Sequence, residues 1–204
     1  MPTQPTLVGN AVLIVIDIQK SAFIDVEGGI PLMPGYKANM QNALKVVQAA
    51  RAAGQPMIFM QEEHRRDMID FGRELDGSED VHCLRGEPGT LLAVEEMGVT
   101  GEDYFIRKRR YSAFYGTELE ILLKGLKAQT LILIGGLTDV CVHYTFADGH
   151  QGDYYCRVIE DAVGGSSQAA HDASLNAMEY LQTGARQTTA AILALISQRR
   201  AMAA

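Results

Sequence analysis

The sequence predicts an α/β fold in which a mostly parallel sheet is covered by helices on both faces. Three observations carry this. Short runs of strand length recur along the chain, and the two clearest, Ala11 to Ile16 and Leu131 to Ile134, are continuously apolar, as buried parallel strands are. Between such runs lie segments whose apolar residues repeat at helical spacing. Strand and helix alternate from one end to the other, the order of βαβ units rather than of a sandwich or a bundle.

A polar, proline-containing lead precedes "AVLIVIDIQ", Ala11 to Gln19, a first strand that ends in the carboxylate of Asp17. An Asp there either hydrogen-bonds the next loop or, on a central strand beside a nucleophile, acts as a general base. Phe23 follows on the loop, to wall a pocket or to pack. Met40, Ala43, Leu44, Val47 and Ala50 then mark an amphipathic helix closed by Gly54 and Pro56. Met57 to Met60 form a second strand. It runs into "QEEHRRDMIDFGRELDGSEDVHCLRGEPGT", the longest polar stretch, whose length suits a lid or binding loop better than a plain connection. Glu62, His64 and His82 in it are ligand types for zinc or iron. No tight two-histidine spacing marks a ligand set, so hydrogen bonding within the loop or to a substrate is the preferred reading.

A short helix over Pro88 to Met97 leads to a third strand, Tyr104 to Ile106, with Arg107, Lys108, Arg109 and Arg110 at its carboxyl end. Such a cluster is mostly solvated surface, although one member is placed to reach a cleft. Residue chemistry does not say which. Leu119, Leu122, Leu123 and Leu126 form the next helix. Thr130 to Asp153, "TLILIGGLTDVCVHYTFADGHQGD", reads as a central strand, a Gly135-Gly136 turn and a helix capped by Thr138 and Asp139. Cys141 sits at that helix start, where unpaired N–H groups and the helix dipole favour a thiolate and can hold an oxyanion. Many free cysteines are inert and buried. The carboxyl end of a strand in an open α/β sheet is nonetheless where ligands bind, which makes Cys141 a candidate nucleophile. A fifth strand over Tyr154 to Ile159 buries Cys156. Ser167 caps a helix that packs through Ala169, Leu175, Met178 and Leu181 and stops at Gly184. A last strand near Gln187 and Thr188 and a helix with Ile192, Leu195 and Ile196 complete the pattern.

The 204 residues are expected to form one domain, 1–204, large enough for its own core. A net charge of -7 leaves no broad basic surface for nucleic acid. The apolar runs are too short to cross a bilayer, and "MPTQPTLVGN" lacks the basic start and apolar centre of a signal peptide, so a cytoplasmic protein is expected. Cys83, Cys141 and Cys156 are odd in number without CxxC spacing, so reduced thiols are expected.

The segments "LIVIDIQ", "IRKRRYSAFYGTEL" and "GGLTDVCVHYTFADGHQGDYYCRVIEDAVGG" together resemble the isochorismatase-like cysteine hydrolase superfamily, over nearly the whole chain. The resemblance implies a six-stranded, doubly wound, three-layer fold. It implies a triad of Asp17, Lys108 and Cys141, and so selects Lys108 from the basic cluster. It also implies a non-proline cis peptide at Leu137 to Thr138, with an oxyanion site around Leu137, Thr138 and Cys141, and a homodimer or homotetramer. Isochorismatases proper have no cysteine at this position. Nicotinamidases bind a metal through Asp-x-His and a later His, where this chain has Glu62, His64 and His82. The "EEHR" and "RGEPG" segments resemble more the metal-free branch acting on ureides and N-carbamoyl compounds. In the biuret hydrolases of that branch a second lysine falls where this chain has Tyr111, which points away from biuret. The expectation is an amidohydrolase of a small amide, ureide or N-carbamoyl substrate, with no cofactor, and with Phe23, Glu62, His64, Tyr111 and Phe114, besides His143, as candidates for the pocket. The alternatives are a metal-containing nicotinamidase-like amidase and, from another class, a catalytically silent binding or assembly protein of the same fold.

Overall fold

The computed structural model describes residues 5–24 and 30–203. Among these, six strands form one sheet: β1 (Asn10–Ile16), β2 (Met57–Glu62), β3 (Tyr104–Lys108), β4 (Ala128–Gly136), β5 (Tyr155–Gly164) and β6 (Arg186–Gln187). Every pairing is parallel, in the order β3-β2-β1-β4-β5-β6. The chain winds outward from β1 in one direction and from β4 in the other. A crevice therefore opens between the carboxyl ends of β1 and β4.

Residues alternate between two cores because successive strand side chains point to opposite faces. Leu13, Val15, Phe59, Ile132 and Ile134 pack under α1 (Tyr36–Ala52) and α6 (Thr189–Ala203). Val12, Ile14, Ile16, Ile58, Met60, Leu131 and Leu133 pack under α3 (Leu119–Gly125), α4 (His143–Gln151) and α5 (Gln168–Leu181). The expected doubly wound, three-layer fold is the one observed.

Three local expectations need correction. The helix read over Pro88 to Met97 is interrupted: a 3-10 turn at Pro88–Thr90 and a single turn, α2 (Val94–Met97), flank extended residues. The segment between is drawn straight by backbone bonds to the loop after β1, Lys20 N to Leu91 O at 2.7 Å and Ala93 N to Ile18 O at 3.1 Å. Thr138 and Asp139 do not cap a helix. Leu137 occupies the cap position before a turn of π-helix, Thr138–Val142, which leads into α4. Asp139 instead accepts bonds from Ser166 N (2.9 Å) and Ser166 Oγ (2.6 Å), tying this turn to the end of β5. Ser167 caps α5 as expected.

Glycine is required where β1 and β4 meet at the crevice. A Cβ on Gly135 (φ 114°) would lie 2.0 Å from Ile16 O, and one on Gly136 2.3 Å from Tyr36 Oη. The cis peptide is at Gly136-Leu137, one residue before the position expected. No helix among the described residues is long and apolar enough to cross a membrane.

Candidate active site

Asp17 follows β1 directly and adopts a left-handed backbone conformation (φ 50°), which Asp tolerates better than most residues. Lys108 ends β3, in register with Glu62 at the end of β2. Cys141 lies in the π-helical turn after β4. Three separate strand ends thus deliver three side chains to one point. Lys108 Nζ is 2.8 Å from Asp17 Oδ2, 3.3 Å from Cys141 Sγ, and donates to Glu62 Oε2 at 2.5 Å and Arg110 O at 3.0 Å. The Cys141 thiol also reaches Glu62 Oε2 at 3.5 Å. Donor atoms of Asp17, Glu62 and Cys141 all fall within 4.8 Å of one another.

Electrostatics assigns these groups different states. Burial raises the Cys141 thiol well above its ordinary value, Asp17 and Glu62 adding to the effect and Lys108 opposing it. The thiolate preference expected from the helix start is overridden, because desolvation in this crevice outweighs it. Burial also raises Asp17, against the pull of Lys108, to about 6. For Glu62, burial pushes the carboxyl up, but Lys108, His64 and His82 together hold it well below its ordinary value. Lys108 stays charged, since its anionic neighbours outweigh its own desolvation. Of the two carboxylates near the thiol, Asp17 is therefore the better proton acceptor.

The crevice widens into a cavity of about 580 Å³ whose wall includes Asp17, Tyr36, Glu62, Glu79, Tyr111 and Cys141. Among the candidates for the pocket, Glu62 and Tyr111 are on this wall. Phe23 is not, being half-buried against the α1 side of the core, nor is Phe114, which packs on Tyr154 at 6.1 Å between centroids. His143 is likewise off the wall. For these three, hydrophobic packing or the course of α4 wins over the pocket.

His64 is buried completely beneath the wall, its ring stacked on Phe71 at 4.0 Å. It joins His82, Glu62 and Glu74 in a buried group whose ligand-type atoms lie within 4.8 Å of one another. His82 Nε2 is 3.0 Å from Glu62 Oε1 and His64 Nε2 is 3.1 Å from Glu74 Oε2. Both ring nitrogens of His64 and both Glu74 oxygens lack hydrogen bonds of proper geometry among the described residues. Burial lowers His64, yet Glu62 and Glu74 prevail and raise it to about 9. Two imidazoles and two carboxylates, of which His64 and Glu74 carry orphaned atoms, fit a divalent ion such as zinc or iron.

Sequence reasoning missed four residues here. Gln19 is buried and bridges the strands: its Nε2 donates to Glu62 O (3.1 Å) and Thr90 O (2.8 Å), and its Oε1 accepts from Glu62 N (3.0 Å). An amide two residues beyond the strand-end Asp was the available signal. Tyr36 turns its hydroxyl to the cavity beside Gly136, and that hydroxyl makes no hydrogen bond among the described residues. Glu74 and Glu79 come from the long loop, where many acids of similar local sequence surround them. Of the oxyanion candidates, Leu137 and Cys141 are on the cavity wall, whereas Thr138 is buried behind it with its hydroxyl on His171 Nδ1 at 2.8 Å. Val140 N and Val142 N, in the same turn, are spent on Leu137 O at 3.1 and 3.0 Å.

The profile of the Isochorismatase domain matches residues 11–192. A probable inactive nicotinamidase of Arabidopsis thaliana is 33% identical over 177 residues, 84% of this chain and 89% of that protein. The ureidoacrylate amidohydrolase RutB of Yersinia enterocolitica is 33% identical over 190 residues, 82% of this chain and 80% of that protein. Among solved structures, N-carbamoylsarcosine amidase from Thermoplasma acidophilum superposes with a TM-score of 0.71 at 25% identity, over 88% of this chain and 95% of its own.

Proposed function

We propose that this chain, which belongs to the isochorismatase family of hydrolases, cleaves the C–N bond of a small amide, ureide or N-carbamoyl compound through a thioester on Cys141, releasing ammonia. The observation that carries the reading is the meeting of Asp17, Lys108 and Cys141 where the cavity reaches the sheet. As Cys141 Sγ attacks the carbonyl carbon, its proton passes to Asp17, the acceptor whose affinity suits neutral pH. The carbonyl π pair moves to oxygen, and the oxyanion rests on backbone N–H groups at Thr138 and Cys141. When that pair returns, the C–N bond breaks and Asp17 gives its proton to the departing nitrogen. Water then adds to the thioester with Asp17 again as base, and collapse returns the thiol. Lys108 holds Asp17 and the thiol in register throughout.

Between substrate classes, the likeness to RutB and to N-carbamoylsarcosine amidase supports the ureide and N-carbamoyl reading, in which no cofactor takes part. The second reading, a nicotinamidase-like amidase with a metal, is favoured by one observation, the buried group of Glu62, His64, Glu74 and His82, the residues that would hold the ion, with its orphaned His64 and Glu74 atoms. A bound ion there would supply Lewis-acid polarisation of a substrate oxygen. A silent binding protein of this fold has no need of the meeting of base, lysine and thiol. The discriminating experiment is ammonia release across biuret, N-carbamoyl compounds, simple ureides, nicotinamide and plain amides, with Cys141→Ala as control. Release from a ureide or carbamoyl compound, lost in the control, supports the proposal. Release from nicotinamide alone, dependent on bound metal, would replace it with the second reading.

A further inference from the structure

The cavity wall distinguishes between substrates by charge. Among the described residues it carries Asp17, Glu62, Glu79 and Glu87 but no lysine or arginine, and His82 is its one basic side chain. The cations near the cavity are each committed elsewhere. Lys108 Nζ is surrounded by Asp17, Glu62, Cys141 and Arg110 O. Arg66 lies outside on Glu87, at 2.6 Å. His82 is held between Asp80 O at 2.7 Å and Glu62 Oε1 at 3.0 Å. Glu79 is the exception among the acids: its Oε2 has only the Tyr111 hydroxyl at 3.5 Å and His82 Nε2 at 4.0 Å. A substrate carboxylate entering this space would lose its hydration, meet no uncommitted cation and face a carboxylate held only by these two long contacts. A neutral group loses nothing by that field, and an ammonium group gains.

We propose that the cavity accepts neutral or cationic amides and ureides and rejects substrates bearing a carboxylate, with Glu79 as the residue that sets this preference. The inference rests on the cavity being the amide site. It separates this chain from an activity on carboxylate-bearing ureides, despite the likeness to RutB. Discrimination of this kind works by repulsion of the wrong ligand as much as by attraction of the right one.

The test reads the field at Cys141 without needing turnover. The purified protein is alkylated at pH 8 with iodoacetamide, which is neutral, and with iodoacetate, which is anionic. Modification of Cys141 is followed by peptide mass spectrometry, to separate it from Cys83, and each rate is divided by that of glutathione. The expected result is a normalised preference for iodoacetamide of about tenfold or more, reduced severalfold in Glu79→Gln and further in Glu79→Arg. A normalised ratio near one, a preference for iodoacetate, or a ratio unmoved by both Glu79 variants would overturn the proposal. Retained turnover in Cys141→Ala would sink the amidohydrolase reading instead, and the alkylation ratio would still decide this one.

Discussion

Glu62 stands between two buried groups of charge that the chain assembles in different ways. Its Oε2 faces Lys108 and Cys141, delivered by the ends of strands, while its Oε1 faces His82 and lies 3.5 Å from His64, both on the long loop. On the strand side the lysine is surrounded by Asp17, Glu62, Cys141 and a backbone carbonyl, while both Asp17 oxygens lack a hydrogen bond of proper geometry among the described residues. On the loop side, His64 and Glu74 sit at ion-pair distance with their hydrogen-bonding capacity unfilled. The contrast teaches how to divide roles. A buried ammonium ringed by carboxylates and a thiol can hold that thiol and its base in fixed geometry. The loop group instead sets two imidazoles beside two carboxylates, a donor set that a divalent ion fits.

The sharpest way to break the comparison is to remove the nucleophile. Cys141→Ala is expected to lower turnover by at least about 10⁴-fold while the cooperative melt is kept, read by ammonia release and circular dichroism. Loss of the loop group should do nothing comparable, so a Glu74→Gln variant as inactive as Cys141→Ala would erase the distinction. Next in size is Lys108→Met, which leaves Asp17 and Glu62 facing each other without their shared cation. Urea unfolding should show a loss of about 3–5 kcal/mol, the range for stranding a partner of a buried ion pair. A loss below 1 kcal/mol would mean the network is looser than its distances state.

The loop side is tested by metal. Calorimetric titration of chelator-treated protein with zinc is expected to show one site whose affinity drops about 10–100-fold in Glu74→Gln, while ureide turnover after chelation stays within about twofold. Absence of a titratable site would leave the group as a proton-linked network, consistent with the raised His64. The smallest effect is the pH dependence. Asp17 must be ionised to take the thiol proton, and its carboxyl is raised to about 6. The rate constant kcat/KM should therefore fall as pH drops through that value, about tenfold per unit below it. The acid limb should move in Glu62→Gln, because the Glu62 charge contributes to the rise.

Much of the strand side was legible because strand ends are written locally. An apolar run that stops at Asp17, a second that stops at a glycine pair before Cys141, and a third that stops at the basic cluster mark three sites without any tertiary information. Choosing Lys108 from its neighbours needed the likeness to a known family, since all four basic residues share the same local chemistry. The reason for the choice is pairing: Lys108 is in register with Glu62 and is almost wholly buried, whereas Arg109 turns out to Asp70 and Arg107 lies near Glu63. The loop side was far less legible. Glu74 lies ten residues from His64 and eight from His82, and no periodicity joins them. Their meeting depends on the loop folding back so that His64 N bonds Cys83 O (2.8 Å) and Arg85 N bonds His64 O (2.8 Å).

Taken alone, the sequence pointed to a mostly parallel sheet with helices on both faces and to a thiol just past a strand end, because burial periodicity and strand termini are local properties of the chain. Only the tertiary structure decided which carboxylate is the better base, which residues line the cavity and what charge the cavity presents. Those outcomes depend on desolvation and on distances between groups far apart in sequence, such as Asp17 with Lys108 and Glu62 with Cys141. Burial and pairing of that kind arise only when the strands have stacked and the loop has closed over their ends.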